Sequence, residues 1–155
     1  MFLLYNIIST IFLVISPLVI TVRMIIGKED TKRFLEKYSL NIKNKSSETI
    51  WFHGASIGEL MSILPLIKKF EKDKSIKKIL VTSSTISSAS IIKKIKFKKT
   101  AHAYYPFDVG FICNNFLNKW KPKIAIFVDS EIWPNMYERL YLKKIPIILI
   151  NGRIT

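Results

Sequence analysis

No charged side chain occurs between Met1 and Val22, and then Arg23, Lys28, Lys32 and Arg33 arrive together. A helix of about 22 residues, rising about 1.5 Å per residue, matches a hydrocarbon layer of roughly 30 Å. Such a segment crosses a bilayer, lies on one, or hides inside a core. On a helical wheel Asn6, Ser9, Thr10, Ser16, Pro17, Thr21 and Arg23 share one side. Leu4, Ile7, Ile8, Ile11, Phe12, Val14, Ile15, Leu18, Val19 and Val22 share the other. This distribution suits a helix lying in the interface as well as one that spans, and both stay open. Pro17 kinks a spanning helix without forbidding it. The basic flank favours a membrane segment over a core helix and predicts that the following chain faces the cytoplasm. A cleaved signal peptide is not expected, because there is neither a positive n-region nor a small-residue cleavage site.

Beyond the flank, Gly27 to Glu48 is polar and charged, with Asn41, Asn44, Ser46 and Ser47 marking a linker. Two kinds of segment then alternate. Apolar runs suited to buried strands occupy Thr49 to His53, Lys78 to Ser83, Ala101 to Tyr105, Ile124 to Val128 and Ile145 to Ile150. Helical spacing occupies Ile57 to Phe70, Ser87 to Ile95, Val109 to Trp120 and Met136 to Leu142. Strand–helix alternation with continuous β-branched strand cores predicts an α/β domain, a parallel sheet covered on both faces. The expected organisation is an anchoring helix over 1–26, a basic linker over 27–48 and the α/β domain over 49–155. Ligands of such sheets sit beyond the carboxyl ends of the strands.

Of the 155 residues 49% are hydrophobic, enough for one domain with a real core. The formal charge of +14 points to an anionic partner, whether nucleic acid, an acidic membrane surface or a phosphorylated substrate. It also reads as plain solvated lysine. The lysines are scattered or paired at helix ends rather than interleaved with aromatics, which argues against nucleic acid. Cys113 is the sole cysteine, so no intrachain disulfide forms. His53, His102 and Cys113 lack zinc-ligand spacing, and neither metal nor cofactor is expected.

Three strand ends carry chemistry. After the first comes His53-Gly54-Ala55-Ser56-Ile57-Gly58-Glu59, where Ser56 and Glu59 have the spacing of a capping box. Glu59 is therefore either a helix cap or a carboxylate facing a cleft. The segment is neither a dinucleotide fingerprint nor a phosphate loop with its Lys. The second strand ends in Thr82-Ser83-Ser84-Thr85, hydroxyls that cap a helix or bind sugar and phosphate oxygens. After the Ile124–Val128 strand comes Asp129-Ser130-Glu131-Ile132-Trp133-Pro134-Asn135, two carboxylates beside an aromatic ring. Carbohydrate sites use this combination, although Trp133 fits core packing equally well.

Taken in order, several segments resemble the 3-deoxy-D-manno-octulosonic acid (Kdo) transferases of lipopolysaccharide assembly. They are the apolar N-terminus, Arg33 to Tyr38, His53 to Glu59 with Pro65-Leu66, Thr82 to Thr85, His102 to Asp108, Asp129 to Asn135 and Ile145 to Ile154. The resemblance implies a three-layer Rossmann-like parallel sheet, the N-terminal acceptor domain of a GT-B glycosyltransferase, preceded by a membrane helix. It implies inverting transfer of Kdo from CMP-Kdo to the 6′-hydroxyl of the phosphorylated lipid A precursor, lipid IVA. The enzyme would sit at the cytoplasmic face of the inner membrane, and its CMP-Kdo-binding C-terminal domain would lie outside this chain. Glu59 takes the role of general base and Asp129 that of transition-state stabiliser. Ser56, Gly58, Thr82, Ser83, Glu131, Trp133 and Arg153 are the acceptor-binding candidates. The chain departs from the family pattern with Asp129 in place of Glu, and with Ile86-Ser87-Ser88 in place of Pro-Thr-Gly. The competing reading is an inactive fragment that only binds membrane or acceptor.

Overall fold

Trp51 and Phe52 are adjacent in one strand and both fully buried, so that strand is covered on its two faces. The computed structural model describes residues 1–42, 48–128 and 132–150. Its five strands are β1 Thr49–His53, β2 Lys78–Ser83, β3 Thr100–Tyr104, β4 Pro122–Val128 and β5 Ile147–Ile150. All pair in parallel, in the order β3-β2-β1-β4-β5. The helices are α1 Phe2–Ile25, α2 Ile57–Lys72, α3 Ile86–Ile95, α4 Gly110–Trp120 and α5 Pro134–Leu142. On one face Leu60, Ile63, Ile67 and Ile92 of α2 and α3 pack on Phe52, Ile79, Val81 and Ile126. On the other, Phe116, Leu117, Met136 and Leu140 of α4 and α5 pack on Trp51, Leu80, Ala125 and Phe127. The three-layer α/β arrangement read from the alternating runs is the arrangement found.

Small differences at element ends have local causes. The last strand starts at Ile147 rather than Ile145, since Pro146 has no N–H to donate to the ladder. The last helix starts at Pro134, whose fixed φ suits the first helical position. Within the stretch read as a linker, Phe34–Tyr38 forms a short 3-10 helix against the outer edge of β3. There Glu36 accepts the Tyr104 backbone N–H at 3.0 Å, blunting an otherwise open edge. Helices α3 and α4 end on left-handed lysines, Lys96 and Lys121 with φ of 53° and 44°, and Lys144, one residue past the C-cap of α5, is left-handed at 54°.

Helix α1 lies along the domain. Tyr5 reaches Asp108, Phe12 packs edge-on to Phe107 at 5.7 Å, and Ser16 bonds Tyr38 at 2.8 Å. Near its C-terminus Arg23 pairs with Glu29 at 3.1 Å. Its outward residues, among them Leu4, Ile7, Ile11, Ile15, Leu18 and Val22, are exposed. It is thus largely inside out relative to a soluble helix, with the hydroxyls of Tyr5 and Ser16 toward protein and most of its hydrocarbon outward. By length and composition it is sufficient to cross a membrane. At the far edge of the sheet, Ile147, Ile148 and Leu149 of β5 are 38–52% exposed.

Candidate active site

The order β3-β2-β1-β4-β5 reverses direction at β1, and the helices that follow β1 and β4, α2 and α5, pack on opposite faces, which marks the switch point where such sheets bind ligands. The β1–α2 loop borders it. A Cβ on Gly54 would stand 3.2 Å from both Glu59 Cβ and Leu60 Cδ2, so glycine lets the start of α2 seat closely on the strand end. Ser56 is the helix N-cap, its Oγ accepting the Glu59 backbone N–H at 3.2 Å. In return the Ser56 hydroxyl donates to Glu59 Oε1 at 2.6 Å, and the Ala55 N–H donates to Oε2 at 2.7 Å. The serine half of the capping box is therefore made, and the Glu59 carboxylate reaches back one residue further, to the Ala55 N–H. Each carboxylate oxygen still has a second lone-pair direction, so capping and acceptance of a substrate proton are compatible. Ser56 and Gly58 are exposed, and Glu59 is half-buried.

Thr82 and Ser83 lie at the end of β2, both fully buried. The Thr82 hydroxyl takes the Trp51 indole N–H at 2.8 Å and bonds His53 Nδ1 at 3.0 Å. Ser83 Oγ bonds His102 Nε2 at 2.8 Å. These hydroxyls hold two histidines in place, and neither presents an atom to the surface. Arg33 Nη2 donates to the His102 carbonyl at 2.8 Å and faces Nδ1 at 3.2 Å. Because a guanidinium only donates, Nδ1 must accept, which assigns the proton to Nε2. Burial, reinforced by the Arg33 charge, pulls the His102 pKa down to about 3.

Trp133 caps α5 and is half-buried. Its ring sits 5.1 Å from Tyr105, which stacks on His53 at 3.9 Å. This aromatic wall closes one side of a cleft of about 420 Å³ that α1 closes on the other. Glu59 does not line that cleft. Asp129, Glu131 and Arg153 lie outside the described residues.

Reading the sequence assigned no role to Asp108, yet it organises this end of the sheet. Its carboxylate accepts the Tyr5 hydroxyl at 2.7 Å and the backbone N–H groups of Asn135 at 3.0 Å and Met136 at 2.8 Å. Asn135 Nδ2 donates back to the Asp108 carbonyl at 2.8 Å. Asp108 so caps the first turn of α5, the helix that carries Trp133. One signal was available: it is the only charged residue in the apolar stretch from Ala103 to Leu117. Burial, with the Asp108 charge beside it, pushes the Cys113 thiol well above its ordinary range. His53, His102 and Cys113 each serve a different partner and do not converge.

A doubly wound parallel sheet, with a helix-start carboxylate beside its switch point and an aromatic wall next to it, defines a Rossmann-like α/β domain. Residues 31–155 match the family described as 3-Deoxy-D-manno-octulosonic-acid transferase (kdotransferase), and the chain belongs to that family. It is 35% identical over 153 residues to a 3-deoxy-D-manno-octulosonic acid transferase of Rickettsia bellii, covering 98% of this chain and 36% of the relative. A probable mitochondrial transferase of the same description from Arabidopsis thaliana is 32% identical over 91% of this chain and 32% of its own length. The Haemophilus influenzae transferase is 26% identical over 95% of this chain and 36% of its own. The chain thus spans about a third of the length of these curated relatives.

Proposed function

We propose that this chain is the acceptor-binding half of an inverting, membrane-bound GT-B glycosyltransferase that transfers Kdo from CMP-Kdo to lipid IVA in lipopolysaccharide biosynthesis. The observation that carries the reading is the placement of Glu59. It stands at the first turn of α2, half-buried beside the crevice where a parallel sheet of this order binds ligands. In this scheme an acceptor hydroxyl gives its proton to Glu59 as its oxygen bonds the Kdo anomeric carbon, and CMP leaves with the bonding electrons. Asp129 stabilises the charge that develops there. Ser56, Gly58 and Glu131 contact sugar hydroxyls, Trp133 offers its ring, and Arg153 meets an acceptor phosphate. Thr82 and Ser83 support the site from beneath by fixing His53 and His102.

The donor half supplies the CMP-Kdo site. Two observations support a longer assembly: the share of each relative that this chain covers, and the uncovered apolar face of β5. The outward hydrocarbon of α1 and the +14 charge support attachment to an anionic membrane, with the domain on the cytoplasmic side of the inner membrane.

A fusion of this chain to the remaining part of the Rickettsia bellii relative tests the reading. In phospholipid vesicles with CMP-Kdo and lipid IVA it is expected to yield a Kdo-extended lipid by mass spectrometry, while this chain alone yields none. A folded fusion that hydrolyses CMP-Kdo but never extends lipid IVA would sink the acceptor assignment.

A further inference from the structure

We propose that the cleft between α1 and the strand ends takes one acyl chain of the lipid acceptor, with α1 lying in the membrane interface as its outer wall. The identity of the lipid rests on the transferase reading above; the presence of a chain in the cleft does not.

The position of α1 comes first. Its contacts with the domain run from Tyr5 to Arg23, a distance of about 27 Å along the helix. Beneath it lie Asp108, Lys37 and Glu29, all buried, with Lys37 and Glu29 paired at 2.7 Å. A helix fastened along this length cannot stand across hydrocarbon without pulling those charges in with it. Lying flat, it keeps Leu4, Ile11, Ile15 and Leu18 in the acyl region and the domain in water.

The cleft opens beside that face. Its volume of about 420 Å³ lies in the range of small-molecule sites. Its walls are Ile8 and Phe12 from the helix and Pro106, Phe107, Val109 and Trp133 from the domain. Of its polar members, Tyr5 is bonded to Asp108, Lys37 to Glu29 and Ser9 to the Asn6 carbonyl, while Ser84 and Tyr105 also line it. What the cleft offers a ligand is mainly apolar surface. Ile8 and Phe12 are 57% and 46% exposed, so they border both the cleft and the outer face of α1. A chain leaving the bilayer along α1 meets hydrocarbon all the way in. Trp133, the domain-side wall, belongs to the aromatic stack that ends at His53, the last residue of β1. A lipid held by its tail here would have its sugar toward the carboxyl end of β1, after which the chain leads into α2 and Glu59.

The experiment uses the full chain on vesicles of phosphatidylethanolamine and phosphatidylglycerol, doped with a phospholipid bearing a diazirine near the end of one acyl chain. After irradiation, peptides are mapped by mass spectrometry. Label is expected on Phe107 and Val109 as well as on Ile11 and Ile15, and added lipid IVA is expected to suppress the first pair only. Ile8→Trp, at a position open enough to accept the larger ring, is expected to remove label from Phe107 and Val109 and leave Ile11 and Ile15 unchanged. Label confined to the outer face of α1 overturns the proposal. So do cross-links from the cleft to a second copy of the chain, whereas cleft label indifferent to lipid IVA overturns only the assignment of that chain to lipid IVA. Labelling needs no donor and no turnover, so lost transfer with intact cleft labelling counts against the transferase reading alone.

Discussion

Tyr5 and Asp108 stand 103 positions apart and are joined at 2.7 Å, the phenol donating to the carboxylate. The same carboxylate receives two backbone N–H groups from the first turn of α5. One acidic side chain therefore binds the N-terminal helix and the α5 helix start together. Hydrogen bonds to a charged group contribute about 1.5–3 kcal/mol each. Tyr5→Phe is expected to lower stability by about 2 kcal/mol, and Asp108→Asn by more, since its amide presents a donor to other donors. In urea titrations the double variant should lose less than the sum of the singles, because both remove the same bond. Additive losses would mean that the bond contributes nothing.

Glu59→Gln separates the observed cap from the general-base role proposed for the same carboxylate. The glutamine carbonyl still accepts the Ala55 N–H, and its amide can donate to Ser56 Oγ, so the cap survives in large part. Loss of a general base typically costs 10²–10⁴-fold in rate, whereas loss of a cap costs about 1 kcal/mol. In the fusion enzyme, turnover is expected to fall by about a hundredfold or more with the melting temperature nearly unchanged. A variant that melts early and turns over at the wild-type rate would leave Glu59 as a cap only.

His102 makes the fold acid-sensitive in a defined window. Its folded pKa is near 3, against 6.5 ordinarily. Between those values the unfolded chain binds a proton that the native chain refuses, so stability falls as the pH falls. The slope from this group is about 1.4 kcal/mol per pH unit, and above about pH 7 it vanishes. Relative to wild type, His102→Gln is expected to lose its disadvantage progressively from pH 6.5 to pH 4 in denaturant titrations. A stability gap constant across that range would refute the assignment.

Lys96, Lys121 and Lys144 hold a left-handed backbone that costs a side-chain-bearing residue about 1–2 kcal/mol. Their positive charge at helix C-termini offsets part of this. Glycine removes the strain and the charge together. Each Lys→Gly change is expected to stabilise by about 0.5 kcal/mol, and the triple variant to show a clear rise in melting temperature. A fall would show that the charge outweighs the strain.

How much of this was legible follows from distance along the chain. Strands such as Ile79 to Val81 read directly, because burial on both faces requires an unbroken apolar run. The Ser56–Glu59 cap read equally well, its partners being three residues apart. The hydroxyl run after β2 did not, since a serine looks the same whether it caps, supports or binds. Thr85 caps α3, accepting the Ser88 N–H at 3.2 Å, while Thr82 and Ser83 serve histidines on other strands. Wheel geometry found the apolar face of α1, but not that Ser16 would meet Tyr38 or Tyr5 would meet Asp108. Those partners are set by topology and leave no local periodicity.

The separation of Tyr5 from Asp108 also sets an order of events during synthesis. At about 5–20 residues per second, Asp108 follows Tyr5 out of the ribosome by roughly 5–20 s. A helix forms in about a microsecond. For the whole interval the α1 segment has no domain to receive Tyr5 and Ser16. On the proposed membrane attachment, a lipid surface is then the available cover for its outer face, and the helix would meet the bilayer before it meets its own protein. The domain would complete its fold against a wall already in place.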